Sequence, residues 1–202
     1  MSGLASVSRE TRARLDTFAA LLLRWNPAVN LISRGDEAEL WSRHIADSLQ
    51  LVALVPPGAS HGIDLGTGGG FPGLVLAIAT DIPYDLIESD HRKAAFLREA
   101  GRATRATVRV HTVRAEAAKI GPAPLITSRA LAPLPRLLAL AAPLLSSGGI
   151  CLFPKGAAVE SELTAAAAGW HMRVARIPSQ TAQGACILRI SDIARIHDNA
   201  RS

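Results

Sequence analysis

Between residues 60 and 190, short apolar runs alternate with longer segments whose apolar positions recur three and four apart. The short runs read as strands and the longer segments as helices. Their order is strand 61–65, helix 72–80, strand 84–88, helix 91–103, strand 107–112, a short helix near 115–119 and strand 124–128. Helix 134–145, strand 149–153, helix 158–168, strand 171–177 and strand 185–190 follow. Strands alternating with helices specify an α/β fold with a doubly wound, mostly parallel sheet, here of seven strands. No helix separates the last two strands, so one of them is expected to pair antiparallel. Ahead of this core, Ser8 opens an amphipathic helix to about Trp25, with Leu15, Phe18, Ala19, Leu22 and Leu23 at helical spacing. Asp36 and Glu39 read as a capping box for a second helix to about Val55, which Pro56-Pro57-Gly58 ends. The expected organisation is an N-terminal helical extension, residues 1–56, packed on a core of residues 57–202.

Candidate chemistry concentrates in Gly62–Gly73, reading GIDLGTGGGFPG, where a strand runs through a glycine turn into an apolar helix. Glycine lets the backbone approach a ligand that a Cβ would push away. The N–H groups opening the next helix then face that ligand. Gly68, Gly70 and Gly73 fit the G-x-G-x-x-G dinucleotide fingerprint. Asp64, Gly66, Gly68 and Gly70 equally fit D-x-G-x-G-x-G, the first motif of S-adenosylmethionine-dependent methyltransferases. A pyrophosphate would be repelled by Asp64, whereas a sulfonium and an ammonium would be attracted to it. Glu88 ends the second strand, where its carboxylate can accept both hydroxyls of a ribose. An acid at that place suits NAD as well as S-adenosylmethionine. The antiparallel ending fits the seven-stranded methyltransferase sheet better than a six-stranded NAD sheet. Gly66, Glu88, Glu116 and Arg129 all follow strand ends, where ligands of such sheets bind.

Composition narrows the setting. The 202 residues are 49% hydrophobic, yet no run approaches the roughly 18 apolar residues of a membrane span. No signal-peptide order opens the chain, so a cytoplasmic location is expected. Cys151 and Cys186 lie in apolar runs and read as small buried hydrophobes. The six histidines show no paired spacing, and no metal site is expected. His44, Asp47 and Ser48 hold the residue types of a hydrolytic triad but fall on one helix as a polar face. That face reads either as a hydrogen-bonded anchor for the extension or as an RNA or cofactor contact. The net charge is +5, and Arg92, Lys93, Arg98, Arg102, Arg105, Arg109 and Arg114 form a basic stripe against the single acid Glu99. Such a stripe can neutralise phosphates without reading sequence.

Motifs along the chain carry a closer resemblance. Asn30-Leu31-Ile32, Arg43-His44, Asp47-Ser48-Leu49, Asp64-Leu65-Gly66-Thr67-Gly68 and Phe71-Pro72-Gly73 come first. Glu88-Ser89, Arg92-Lys93, Phe96-Leu97, Arg114-Ala115-Glu116, Ser128-Arg129-Ala130 and Lys155-Gly156 follow. In this order, from about residue 20 to 160, the chain resembles the RsmG (GidB) family of bacterial 16S ribosomal RNA guanine-N7 methyltransferases. The resemblance implies a Rossmann-like fold, S-adenosylmethionine as cofactor, and a guanine near the decoding region as target. It implies that Gly66, Phe71, Ala115, Glu116 and Arg129 contact the cofactor, with Ala115 and Glu116 near the adenine. Asp64, Gly68, Gly70 and Glu88 join that set from their place in the loop and after the second strand. Arg129 is the candidate for the chemical step. His44, Lys155 and the stripe residues Arg98, Arg102 and Arg105 are candidates for RNA contact. The expected partner of a monomeric chain is 16S ribosomal RNA or the small ribosomal subunit, with no membrane involved. Strand four is followed by Ser128-Arg129-Ala130, not by the N/D-P-P-aromatic loop of exocyclic-amine methyltransferases. A guanine N7 offers a free lone pair and needs no general base, only alignment.

Overall fold

The computed structural model describes residues 7–196. Residues 1–6 and 197–202, the outer ends of the two expected segments, lie outside the described residues, as does His197. Helix α1 (Arg9–Val29) opens at Ser8, whose side-chain oxygen accepts from Thr11 N–H, and it buries Leu15, Phe18, Ala19, Leu21 and Leu22. It runs one turn past Trp25, with Pro27 in its last turn; Asn30 then closes it in the left-handed conformation. The expected second helix is a chain of short pieces: a 3-10 turn Arg34–Asp36, a π-helical turn Leu40–Ile45, α2 (Ala46–Leu49) and a 3-10 turn Val52–Leu54. Asp36 is not its cap. Its carboxylate takes the Ser33 hydroxyl at 2.7 Å and Arg43 Nη1 at 2.7 Å instead.

The core then runs β1 (Gly62–Leu65), α3 (Gly73–Thr80), β2 (Tyr84–Ile87), α4 (His91–Thr104), β3 (Val108–His111) and β4 (Ala123–Thr127). It continues with α5 (Leu134–Ala141), β5 (Leu145–Lys155), α6 (Val159–Ala167), β6 (Trp170–Pro178) and β7 (Cys186–Arg195). Pro143, which lacks an N–H, coincides with the early end of α5, and a 3-10 turn Ala142–Leu144 replaces its expected last turn. The seven strands form one sheet in the order β3-β2-β1-β4-β5-β7-β6. All pairs are parallel except β5–β7 and β6–β7, so β7 is the reversed strand. Its place follows from the connection: β6 and β7 are joined by a turn too short for a crossover helix. Chain order reverses between β1 and β4, so the cleft lies above their carboxyl ends.

One apolar cluster joins the extension to the sheet, with Leu15, Phe18 and Leu22 of α1 alongside Leu74, Leu86, Phe96 and Leu125. A second fills the other face beneath α5 and α6. Asn26 fixes how the chain leaves α1. It is 3% exposed; its Oδ1 accepts Leu31 N–H at 2.8 Å and Ile32 N–H at 3.0 Å, and its Nδ2 donates to Glu37 at 2.6 Å. This puts the Leu31 carbonyl against Gly69, where an added Cβ would sit 3.0 Å from it. Asn26→Ala leaves two buried N–H groups unmet and is expected to cost roughly 2–3 kcal/mol. A urea midpoint equal to that of the unaltered chain would contradict this account of the junction.

Candidate functional site

The glycine loop is held from below by Asp64, which sits in β1 with 0% exposure. Asp64 Oδ2 accepts from Gly73 N–H at 3.0 Å and from the Thr67 hydroxyl; Oδ1 accepts from the Thr127 hydroxyl at 2.7 Å. Gly73 is required here because an added Cβ would lie 2.5 Å from the Asp64 Cβ. The expectation that Asp64 faces the ligand's positive charges is therefore corrected. Its carboxylate points under the loop because three donors there offset the cost of burying it. Burial pushes its pKa up to about 6; the hydroxyls of Thr67 and Thr127, Gly73 N–H and the Arg129 charge oppose that rise.

Above the loop, Gly66, Gly68, Glu88, Ala115, Arg129 and Leu131 are among the residues lining a groove of about 230 Å³. Gly66 and Gly68 both have positive φ, and a Cβ on Gly66 would sit 2.6 Å from the Leu131 side chain that forms the opposite wall. Gly70 and Phe71 support the groove without lining it. A Cβ on Gly70 would meet Leu74 and Phe18, while Phe71 is 3% exposed and packs edge-on against Phe18. Glu88 follows β2 and is 9% exposed. Its Oε2 accepts Gly68 N–H at 2.9 Å and its Oε1 accepts Asp90 N–H at 2.8 Å. Each oxygen keeps a further lone pair for a ligand hydroxyl, so Glu88 shapes the loop and lines the groove at once. Ala115 also borders a neighbouring hollow of about 510 Å³ whose walls include Glu116, Ile120, Leu140 and Leu144. Glu116 does not line the central groove, because its carboxylate pairs with Arg136 at 2.7 Å.

Arg129 follows β4 at the other end of the groove, and three groups of the N-terminal segment hold it. Nη2 donates to His44 Nδ1 at 2.7 Å; Nη1 donates to the Arg43 carbonyl and to Asp47 Oδ2, both at 3.3 Å. Its guanidinium carbon lies 5.1 Å from the centre of the Phe71 ring, and His44 lies 5.1 Å from the same ring. Since Arg129 can only donate, His44 Nδ1 accepts and the ring proton sits on Nε2. Burial, then the Arg129 charge, pushes the His44 pKa down, which keeps it a neutral acceptor. The π-helical turn brings Arg43 and His44 to this position, as such turns do at functional sites. Ser48 donates to the His44 carbonyl at 2.7 Å and is 1% exposed, so no hydrolytic line exists.

The RNA candidates fall in different places. The Lys155 side chain is 8% exposed: Nζ pairs with Glu162 at 2.7 Å and donates to the Ala132 carbonyl at 3.2 Å, so its charge is already met within the chain. His44 is spoken for by Arg129. Arg98 donates to the Val110 carbonyl and to Thr112, and Arg102 pairs with Glu99 at 2.6 Å. Arg105 closes α4 in the left-handed conformation. The 14-residue α4 starts at the cleft and carries these arginines down the edge of the sheet, roughly 20 Å at 1.5 Å per residue. Both cysteines are free thiols, and no group of three or more metal-binding side chains occurs among the described residues. No described helix is long and apolar enough to cross a membrane. Sequence reasoning missed Asn26, whose hydrogen bonds shape the chain after α1, and Gln50, Ser179 and Thr181, whose hydrogen bonds lock the N-terminal segment to the β6–β7 turn. An asparagine beside Pro27 near a helix end was the only signal for the first. Nothing local marks the others.

This sheet with its glycine-loop groove is the fold of S-adenosylmethionine-dependent methyltransferases. It superposes on a ribosomal protein L11 methylase from Lactobacillus delbrueckii subsp. bulgaricus with a TM-score of 0.60, at 16% identity, over 77% of this chain and 79% of that one. It also superposes on an O-methyltransferase from Bacillus cereus in complex with SAH, with a TM-score of 0.57, at 17% identity, over 87% and 90% of the two chains. Residues 11–185 match the family model of GidB, rRNA small subunit methyltransferase G. The chain is 56% identical over 193 residues to a ribosomal RNA small subunit methyltransferase G of Gluconobacter oxydans, covering 96% of this chain and all of that one. It is 58% identical over 194 residues to the protein of that name from Acidiphilium cryptum, covering 95% and 89%. The chain belongs to the rRNA small subunit methyltransferase G (GidB) family and is an S-adenosylmethionine-dependent methyltransferase.

The raised Asp64 pKa has a sign that stability measurements can read. The folded chain binds this proton more tightly than the unfolded one, so the contribution is fully present below about 3.8 and fades as pH rises through about 6. Asp64→Asn is expected to shrink the loss of urea stability that the unaltered chain should show between about pH 4 and about pH 6.5. Parallel pH profiles of the two proteins would contradict the assignment.

Proposed function

We propose that this chain transfers a methyl group from S-adenosylmethionine to N7 of a guanine in 16S ribosomal RNA near the decoding region. The observation that supports it most is the groove itself: a glycine loop clamped by Asp64 and Glu88, closed by Arg129, in a chain matching this family over residues 11–185. The residues fit the donor. Glu88 offers lone pairs to the ribose hydroxyls, and Ala115 with the hollow beyond it, walled mainly by aliphatic side chains beside Glu116, takes the adenine. Gly66 leaves backbone space beside Leu131 for the methionine part. Bound S-adenosylmethionine supplies a methyl on a positively charged sulfur. The guanine N7 lone pair forms the new N–C bond while the C–S pair stays on sulfur, so no proton leaves. The residues after β4 present a guanidinium and no base, which suits an acceptor that needs alignment alone.

Contacts with RNA phosphates fall in this reading to the exposed basic edge of α4, Arg102 and Arg105 among it, and to Arg43 at the mouth of the cleft. The substrate is 16S ribosomal RNA, free or in the small subunit. A monomer in the cytoplasm completes the reading. Mass mapping of 16S ribosomal RNA incubated with purified protein and S-adenosylmethionine should find one N7-methylguanine, and Glu88→Ala should weaken donor binding about ten- to a hundredfold. Methyl transfer to another atom or another RNA, or binding of NAD in place of S-adenosylhomocysteine, would overturn the proposal.

A further inference from the structure

A cavity of about 640 Å³ lies beside the donor groove and shares Arg129, Ala130 and Leu131 with it. Its other walls come from Arg43, Asp47 and Gln50, from the β6–β7 turn, and from Pro154, Lys155 and Glu162. Hydrogen bonds across the opening fix that geometry. Gln50 Nε2 donates to Asp47 Oδ1 at 2.7 Å, to Thr181 at 3.2 Å and to Ser179 at 3.3 Å. Gln50 Oε1 accepts Gln180 N–H at 2.9 Å, and the Thr181 hydroxyl donates to Asp47 Oδ1 at 2.8 Å. The turn is thereby stapled to the N-terminal segment, and Arg129 is stapled to the same segment on the cavity's inner wall.

From this juxtaposition we infer that the cavity receives the target guanine, extruded from its stack, and that Asp47 reads the guanine's N1–H and 2-amino edge. The inference rests on the methyl-transfer reading above and deepens it. In-line transfer requires the acceptor to approach through a hollow that shares a wall with the donor groove. Two described hollows do so. The one reached past Ala115 is walled mainly by alanine, leucine, isoleucine and proline beside the Glu116–Arg136 pair and suits the donor's adenine; the one reached past Arg129 and Leu131 holds Asp47, Gln50 and Thr181, a set that can read a base edge. Among those groups the chemistry of guanine finds its complement. N7 must stay free for the methyl, so O6 is left to accept from a guanidinium beside the donor groove, a position Arg129 occupies. The N1–H and 2-amino donors then need a carboxylate. Asp47 Oδ1 already accepts two short bonds, but Oδ2 accepts only the 3.3 Å bond from Arg129, so it retains acceptor capacity. The Asp47 side chain is 16% exposed, which places that capacity in a partly dry site where an unmet acceptor is costly. Adenine would turn its N1 lone pair toward the same carboxylate and be rejected. Bases handled outside a stack are commonly read on this edge by enclosed pockets.

The test uses the full chain and 16S ribosomal RNA ligated with either guanosine or inosine at the mapped target. Inosine keeps N7, O6 and N1–H but lacks the 2-amino group. The unaltered protein should methylate the inosine substrate about ten- to a hundredfold more slowly, the range of one hydrogen bond to a charged group. In Asp47→Asn the guanosine substrate should slow, and the guanosine-to-inosine ratio should collapse toward one. A second variant fills the cavity from the turn, away from the donor groove. Ala185→Trp should keep S-adenosylhomocysteine affinity by calorimetry and lose methylation more than about a hundredfold, as expected when a near-attack geometry is blocked. A ratio of one in the unaltered protein, an unchanged ratio in Asp47→Asn, or normal turnover by Ala185→Trp overturns the assignment. If Asp47→Asn does not fold, the inosine ratio of the unaltered protein and the Ala185→Trp pair of readouts decide. Absence of methyl on the guanosine control contradicts the function itself, so the two failures are told apart.

Discussion

A buried carboxylate under a glycine loop is the constraint on which the site depends. Asp64 has no exposure, yet it gathers Thr67, Gly73 and Thr127 from the loop, the next helix and the neighbouring strand β4. The Thr127 bond joins β1 to β4 at the point where the strand order reverses, and the other two tie the loop and α3 to β1. The loop above is then free to turn its glycine backbone toward the groove, and Glu88 takes up the Gly68 N–H from the far side. A carboxylate in this position stabilises the loop only because each donor is present, so its neighbours are as constrained as it is.

The N-terminal segment enters the site in a way its place in the sequence does not suggest. Asn26 and the Leu31 carbonyl fix it against Gly69, and the π-helical turn then carries Arg43 and His44 across to Arg129. Arg129 is thus held by residues some 85 positions earlier in the chain. The guanidinium, the Phe71 ring beneath it and the neutral His44 form one packed unit between the donor groove and the larger cavity.

Much of the fold was legible because it follows from local periodicity. The strands β1 to β4 and the helices between them stand within a residue or two of the pattern that apolar spacing predicts, and the helix-free link between β6 and β7 foretold the reversed strand. The second helix was misread because Asp36 and Glu39 have the spacing of a capping box, while Ser33 and Arg43 compete for the Asp36 carboxylate. In the site, the glycine loop, Glu88 and Arg129 were visible as residues that follow strand ends. The direction of Asp64 was not, since alternation along a four-residue strand buried on both faces carries no information. Lys155 looked like a phosphate ligand for want of its partner Glu162, which lies on the following helix. The Gln50, Ser179 and Thr181 network was invisible because its members are about 130 residues apart and only the sheet order brings them together.

The central claim is that Arg129 and Leu131 divide one continuous cleft into a donor side and an acceptor side. A crystal structure of the chain with S-adenosylhomocysteine bound tests it most directly. The account predicts ribose hydroxyls on Glu88, the adenine past Ala115 and the sulfur facing the cavity lined by Asp47 and Ala185. A ligand seated with its sulfur turned away from that cavity, or bound outside the groove above Gly66 and Gly68, would contradict it.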